Sequence, residues 1–314
     1  MTKTKVWQLE NGIKIVNIPT SYEHFIVFFI FDVGNHVLRP EQAGYAHLLE
    51  HLMFKGTSEI GSLDYEKEKE ILEKAFDILN KVTYKTDIEV IKKRNSEALI
   101  LEDKARKYYN TREFDYIMQY LGDSIANAYT FCEYTTYVHF VPREFLGYFL
   151  RLQYHRITFW TLRDFVRERN VVLQEMITES PVINMLLKTT YGEHYHSLPI
   201  IGYPKTIITA KPDDIIHLQR EYYTANRLTI LIAGNLTLDD QKILSEIFSE
   251  LRQGKTENHN YPEAAYQYNK YHFHFEKDIP KVTFTVRMKT QNVKDKIMTA
   301  ILRNIDYVFI FANK

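Results

Sequence analysis

The chain has 314 residues, with 40 Lys+Arg set against 40 Asp+Glu and 45% hydrophobic residues, enough for a sizeable core in one large or two medium domains. A formal net charge of zero lacks the basic surplus of a nucleic-acid binder, so no nucleic-acid partner is expected. The single cysteine, Cys132, excludes an internal disulfide and a multi-cysteine metal site, so any metal site must be built from histidines and carboxylates.

The first ten residues carry lysines but no apolar segment follows them, unlike a secretory leader. This predicts a cytoplasmic protein, or a periplasmic one if the true start lies upstream. The apolar run 25–31 is too short to cross a bilayer, so no membrane partner is expected. Segments 9–18 and 25–33 read as strands, with a tight turn at Asn11-Gly12. The second is nearly continuous in β-branched and aromatic residues, the look of a strand buried on both faces. Residues 43–54 read as a helix, stopped by Gly56.

Residues 64–107 are rich in Glu, Lys, Leu and Ile at helical spacing and are interrupted at 83–86, which predicts a helical hairpin. Its charges read as a solvated face with pairs such as Glu70–Lys74 and Glu89–Lys93; a docking arm is the alternative reading. Residues 126–141 alternate as paired strands, within which Cys132 reads as a small buried residue rather than a nucleophile. Helices follow near 142–157 and 162–179, the latter with Phe165, Val166, Val172, Leu173, Met176 and Ile177 as apolar positions. The stretch 181–208 is loop-rich. Then come a helix at 213–223, a strand at 227–233, a helix at 238–251, a polar linker near 255–270, strands at 271–275 and 282–288, and a helix at 293–305. The 23 Tyr and 19 Phe are read as filling strands and core rather than as a platform for bases.

The run His47-Leu48-Leu49-Glu50-His51 carries the chemistry. Histidines four apart on a helix share a face, so both imidazoles can reach one metal ion, and Glu50 leans toward the same side. A zinc ion acidifies water, and a carboxylate at Glu50 can take the proton. Two histidines on one helix face are also compatible with ordinary core or surface groups. Zinc needs a third protein ligand, which must come from elsewhere in the chain.

The order His-x-x-Glu-His inverts that of the common zinc peptidases. The stretch from Gly44 to Thr57 closely resembles the active-site helix of the pitrilysin/insulinase/mitochondrial processing peptidase family, peptidase family M16. The run from Glu168 to Glu175 resembles that family's second motif. The resemblance implies that Glu175 is the third zinc ligand and Glu168 a supporting acid. Seven residues is two helical turns, so the two glutamates share a face. Ala126-Asn127-Ala128-Tyr129-Thr130 resembles the family's edge strand, along which an extended peptide lies, making Asn127 and Ala128 candidate substrate contacts; Asn127 also suits a plain strand-start turn. His194 and His196 are expected to be structural.

The resemblance covers about residues 7–290. It implies an α+β fold with a mixed, mainly antiparallel sheet backed by helices, spanning residues 1–254 with the hairpin as an insertion. It implies a zinc metalloendopeptidase acting on peptides or unfolded polypeptides, of a bacterial type with one Zn2+ per chain. Family members pair this domain with a second of similar fold, which contributes an Arg/Tyr pair. Here residues 271–314 read as an incomplete start of that domain, and no position can be assigned to the pair. The chain therefore reads as a truncated frame, or as half of a two-chain peptidase needing a homo- or heterodimer partner.

Overall fold

The computed structural model describes residues 3–123, 126–178, 184, 185, 187, 188 and 191–255. Residues 3–178 and 198–255 form one body. The described residues between 184 and 197 belong to a separate unit, in which Tyr195–Ser197 form a short 3-10 turn. The expected linker beyond residue 255, the strands at 271–275 and 282–288, the helix at 293–305 and the incomplete second domain lie outside the described residues.

A six-stranded sheet is the frame of the body. Its strands are β1 (Lys5–Gln8), β2 (Lys14–Ile18), β3 (His24–Phe31), β4 (Asn127–Thr130), β5 (Thr135–Pro142) and β6 (Leu228–Ala233), in the order β1-β2-β6-β3-β5-β4. Only β2 and β6 run parallel; the other neighbours are antiparallel. The expected α+β fold with a mixed, mainly antiparallel sheet is therefore observed. Of the predicted strand 9–18 only β2 is extended; the expected turn at Asn11-Gly12 joins it to β1, which lies before the predicted segment. Phe25, Val27, Phe29 and Phe31 of β3 are buried while the residues between them are only half-buried, so β3 is central but fully covered on one face alone. Phe29 packs there against Phe149 and Phe248, and Phe31 stacks on Tyr223 at 4.2 Å.

The helices that bear on the site are α1 (Tyr45–Leu52), α2 (Tyr65–Leu79), α3 (Ile88–Ala105), α4 (Glu113–Tyr120), α5 (Leu146–Thr158) and α6 (Phe165–Thr178). The predicted hairpin is α2 and α3, joined through Thr83 and Thr86. Asp64 caps α2 by accepting from the Lys67 amide, and Asp87 caps α3 by accepting from that of Glu89. Glu70 pairs with Lys74 as expected, but Glu89 pairs with Lys92, one residue earlier than predicted. Among the described residues, no helix is long and apolar enough to cross a membrane.

The hairpin's charges are not all solvated. Glu68 and Arg163 are each 0% exposed and form a two-pronged pair, at 2.6 Å and 2.9 Å. Arg163 also donates to the carbonyls of Lys55, Thr57 and Ile60. Helix α1 ends at Leu52, four residues before the expected stop at Gly56; Gly56 has a positive φ, and a Cβ there would lie 2.7 Å from the Arg163 guanidinium. Glu102 is equally buried and accepts from the Val166 amide at 2.9 Å. Helix α4 has no counterpart among the predicted elements. Of the apolar positions expected on α6, Ile177 is exposed, and Cys132 is half-buried rather than buried.

Candidate metal centre

Helix α1 starts where two backbones nearly touch. Gly44 adopts φ 91° just ahead of Tyr45, and a Cβ there would meet the Ile201 carbonyl at 2.5 Å and the Gly202 Cα at 2.7 Å. From this start Leu48, Leu49 and Leu52 enter the core, which turns His47 and His51 to the side facing α6.

Glu168 and Glu175, two turns apart on α6, meet the two nitrogens of one imidazole. His51 Nε2 lies 3.4 Å from Glu175 Oε2, and His51 Nδ1 lies 3.4 Å from Glu168 Oε2. His47 Nε2 lies 3.8 Å from the same Glu175 oxygen. One donor atom each from His47, His51 and Glu175 falls within 4.8 Å of the others, the one such group of three found among the described residues. Zinc with bonds of about 2.1 Å and tetrahedral angles separates its ligands by about 3.4 Å, so the His51–Glu175 separation already fits and the widest of the three must close by roughly an ångström to hold the ion. A donor proton on His51 Nδ1, directed at Glu168, would leave Nε2 free as a ligand.

The electrostatics fit a cation as well. Glu50, Glu168 and Glu175 gather around the histidines, while Lys55 Nζ, 2.7 Å from Glu168 Oε1, is the cation paired with them. With His51 neutral, as a ligand must be, three carboxylates against one ammonium leave two negative charges for a divalent ion to balance. Burial, with the His51 charge nearby, pushes His47 down to about 4, so its ring is neutral near pH 7 as a ligand must be. Burial also pushes His51 down, but the Glu168 hydrogen bond and the surrounding carboxylates outweigh it and raise its pKa. Burial raises the Glu50 carboxyl against the opposing pull of Thr130 and His51. The histidine side chains are 18% exposed and that of Glu175 is 43% exposed, so the group opens to solvent.

Thr130 and Lys55 are the contacts that sequence reasoning missed. Thr130 Oγ1 donates to Glu50 Oε2 at 2.5 Å, and Thr135 Oγ1, 3.5 Å further on, donates to the Val33 carbonyl. Thr130 ends β4, the edge strand that holds Asn127 and Ala128. Asn127 is exposed, accepts from the Ala128 amide and donates to the Tyr129 hydroxyl; Ala128 is buried. His194 and His196 lie in the separate unit, clustered with the rings of Tyr191 and Tyr195. Burial, with Glu133 nearby, raises the Cys132 thiol to about 11, which makes it a poor nucleophile. A cavity of about 770 Å³ lies between α2 and the helix Pro212–Tyr222, lined by residues such as Tyr65, Trp160, Gln219 and Arg252, and it includes none of the metal-centre side chains.

Comparison with known proteins bears on the same regions. Residues 23–71 match the family model of insulinase (peptidase family M16), and residues 209–305 match that of the peptidase M16 inactive domain. An uncharacterized zinc protease of Bacillus subtilis, YmxG, is 29% identical over 243 residues, 74% of this chain and 47% of that protein. The bovine mitochondrial-processing peptidase subunit beta is 23% identical over 243 residues, 76% of this chain and 40% of that protein. The chain thus spans about half the length or less of these curated relatives. Among solved structures, a protease from Helicobacter pylori shares the fold with a TM-score of 0.63 at 21% identity, over 85% of this chain and 55% of that one. The ferredoxin protease FusC, solved in complex with Arabidopsis ferredoxin, shares it with a TM-score of 0.60 at 16% identity, over 82% of this chain and 25% of its own. The matched segments hold His47, Glu50 and His51 at one end and reach past β6 at the other, and with the relatives' names they support peptidase family M16.

Proposed function

We propose that this chain is a zinc-dependent metallopeptidase in which His47, His51 and Glu175 hold one zinc ion and Glu50 is the general base. The observation that carries the reading is the convergence of the three donor atoms beside the Glu50 carboxylate, on two helices joined through more than a hundred residues of chain. The naming of several relatives as zinc proteases supports the same metal.

Zinc there would supply Lewis acidity, polarising a peptide carbonyl and making water a stronger acid. The side chains then have distinct tasks. Glu50 takes a proton from the attacking water at Oε1, because Oε2 is engaged by Thr130, and returns it to the departing amine. Its raised pKa makes it a stronger base than an exposed glutamate. Glu168 orients His51 and is itself steadied by Lys55.

The substrate class proposed is a peptide or unfolded polypeptide. Among the described residues β4 pairs with β5 on one side only, so its other side can receive an extended segment beside Glu50, with Asn127 and Ala128 along it. The bovine relative is named as a subunit, and the solvent-open metal centre suits a second wall supplied by a partner or by a further domain.

Two variants test the reading. Glu50→Gln should retain stoichiometric zinc and lose cleavage of a mixed peptide pool by about 10²–10⁴-fold. His47→Ala should lose the zinc itself. A wild-type chain that binds no zinc, or a Glu50→Gln variant that cleaves as well as wild type, would sink the proposal.

A further inference from the structure

Helix α6, which carries Glu168 and Glu175, lacks a cap of its own. The Asp164 carbonyl accepts the Glu168 amide, so Asp164 stands at the N-cap position. An N-cap aspartate ordinarily turns its carboxylate onto the second or third amide of its helix. Here the carboxylate is used otherwise. Asp164 Oδ1 accepts from Arg106 Nε at 3.0 Å and from the Tyr109 hydroxyl at 2.8 Å, and Oδ2 accepts from Arg106 Nη2 at 2.9 Å. All of these donors come from the end of the hairpin and the turn after it.

The missing cap comes from the hairpin too. Glu102 Oε1 accepts the amide of Val166, the second residue of α6. Asp164 also has φ 52°, the one non-glycine residue in the left-handed region among the described residues. That conformation costs on the order of 1 kcal/mol or more and persists only where surrounding contacts hold it. Arg106 and Tyr109 are those contacts. Further along, Arg169 of α6 donates to Asn95 Oδ1 at 2.7 Å, and Arg167 pairs with Asp103. Asn95, Glu102 and Arg106 recur at spacings of seven and four, so one face of α3 is committed to α6.

We propose that the hairpin is a positioning element for the metal centre: by capping α6 through Glu102 and fixing its start through Arg106 and Tyr109 on Asp164, it sets where Glu168 and Glu175 meet His47 and His51. The inference rests on the zinc reading above. Glu175 is nine residues beyond Val166, about 14 Å along the helix, so a tilt of about 10° at the start would carry it by roughly 2 Å. Metal sites tolerate about 0.2 Å in ligand distance. The hairpin's other helix, α2, reaches the other ligand-bearing segment, because Glu68 holds Arg163, and Arg163 holds the carbonyls that follow α1. Both ligand helices are thereby referenced to one element.

The test is zinc affinity of the full chain, measured by competition with a chromophoric chelator. Glu102→Ala and Arg106→Met should each weaken zinc about tenfold or more, as loss of groups supporting metal ligands does. Glu102→Gln, whose amide oxygen can still accept the Val166 N–H, should stay within about twofold of wild type. Leu79→Ala, at the far end of α2, should lower the melting temperature and leave zinc affinity within about twofold. Arg106 is 44% exposed, and methionine keeps much of its aliphatic stem, so this variant folds even if Glu102→Ala does not. The proposal is overturned if Arg106→Met binds zinc as tightly as wild type, or if Leu79→Ala weakens zinc as much as Arg106→Met does. A wild-type chain without zinc affinity overturns the metal reading itself, a result distinct from both.

Discussion

Thr130 donates its hydroxyl to Glu50 Oε2 at 2.5 Å, which ties the last residue of the edge strand to the carboxylate of α1. On the proposed mechanism this hydrogen bond would set which Glu50 oxygen faces the attacking water. Thr130→Val should lower kcat about tenfold with little change in KM, the scale of one hydrogen bond to a charged group. Thr130→Ser should restore most of the rate, and zinc content should be unchanged in both. Equal kcat in the valine variant would remove Thr130 from the mechanism.

Zinc removal should destabilise the wild-type chain. A ligand present at a hundredfold excess over its Kd adds about 2.7 kcal/mol, which for a body of this size is a fall of roughly 5 °C or more on stripping the metal. Differential scanning fluorimetry with and without chelator measures it. His47→Ala should show no chelator-dependent shift.

Glu102 predicts a pH dependence of stability. Burial is the main cause that raises its carboxyl to about 7, while the Val166 amide opposes it. The folded state therefore holds this proton more tightly than the unfolded state, whose carboxyl titrates near 4.5. The contribution is complete below pH 4.5 and declines as pH rises toward 7, by on the order of 3 kcal/mol in all. Glu102→Gln removes the dependence. Urea titrations of both proteins at pH 5 and pH 8 should show a wild-type-minus-variant difference that is more favourable at pH 5. A difference that does not change with pH would refute the assignment.

The Glu68–Arg163 pair predicts an asymmetry. Glu68→Ala leaves a buried guanidinium without its counter-charge and should cost about 3–5 kcal/mol. Replacing both, as Glu68→Leu with Arg163→Met, should cost markedly less than Glu68→Ala alone. Denaturant unfolding of the single and double variants makes the comparison.

Much of the candidate metal centre's geometry was legible because its signal is local. His47, Glu50 and His51 share one helix turn, Glu168 and Glu175 share one face, and helical spacing alone brings each set together. The hairpin was legible from its periodicity, and β3 from its run of β-branched and aromatic residues. What escaped depends on partners far off in the chain. Glu68 and Glu102 read as surface acids because helical glutamates usually are, and nothing near them announces Arg163 or the Val166 amide. Strand β1 is four mostly exposed residues at a sheet edge, too short and polar to stand out. In α4 only Phe114 and Met118 are buried, too few for the pattern to show. The one-sided burial of β3 was hidden too, because which face the helices cover is a tertiary fact.

The contact between Gly44 and Gly202 has a consequence for how this protein can change. A methyl group at Gly44 would strike the chain at Ile201 and Gly202, and one at Gly202 would strike the Ala43 carbonyl. Neither position can be relieved by altering a side chain, because backbone blocks both. A saturation library should therefore show two empty columns, one beside the histidine motif and one more than 150 residues downstream. The downstream glycine would look like a remote loop position, yet its replacement would push on the segment from which α1 departs. A loss-of-function variant at Gly202 would then be a displacement of His47 written in another part of the gene.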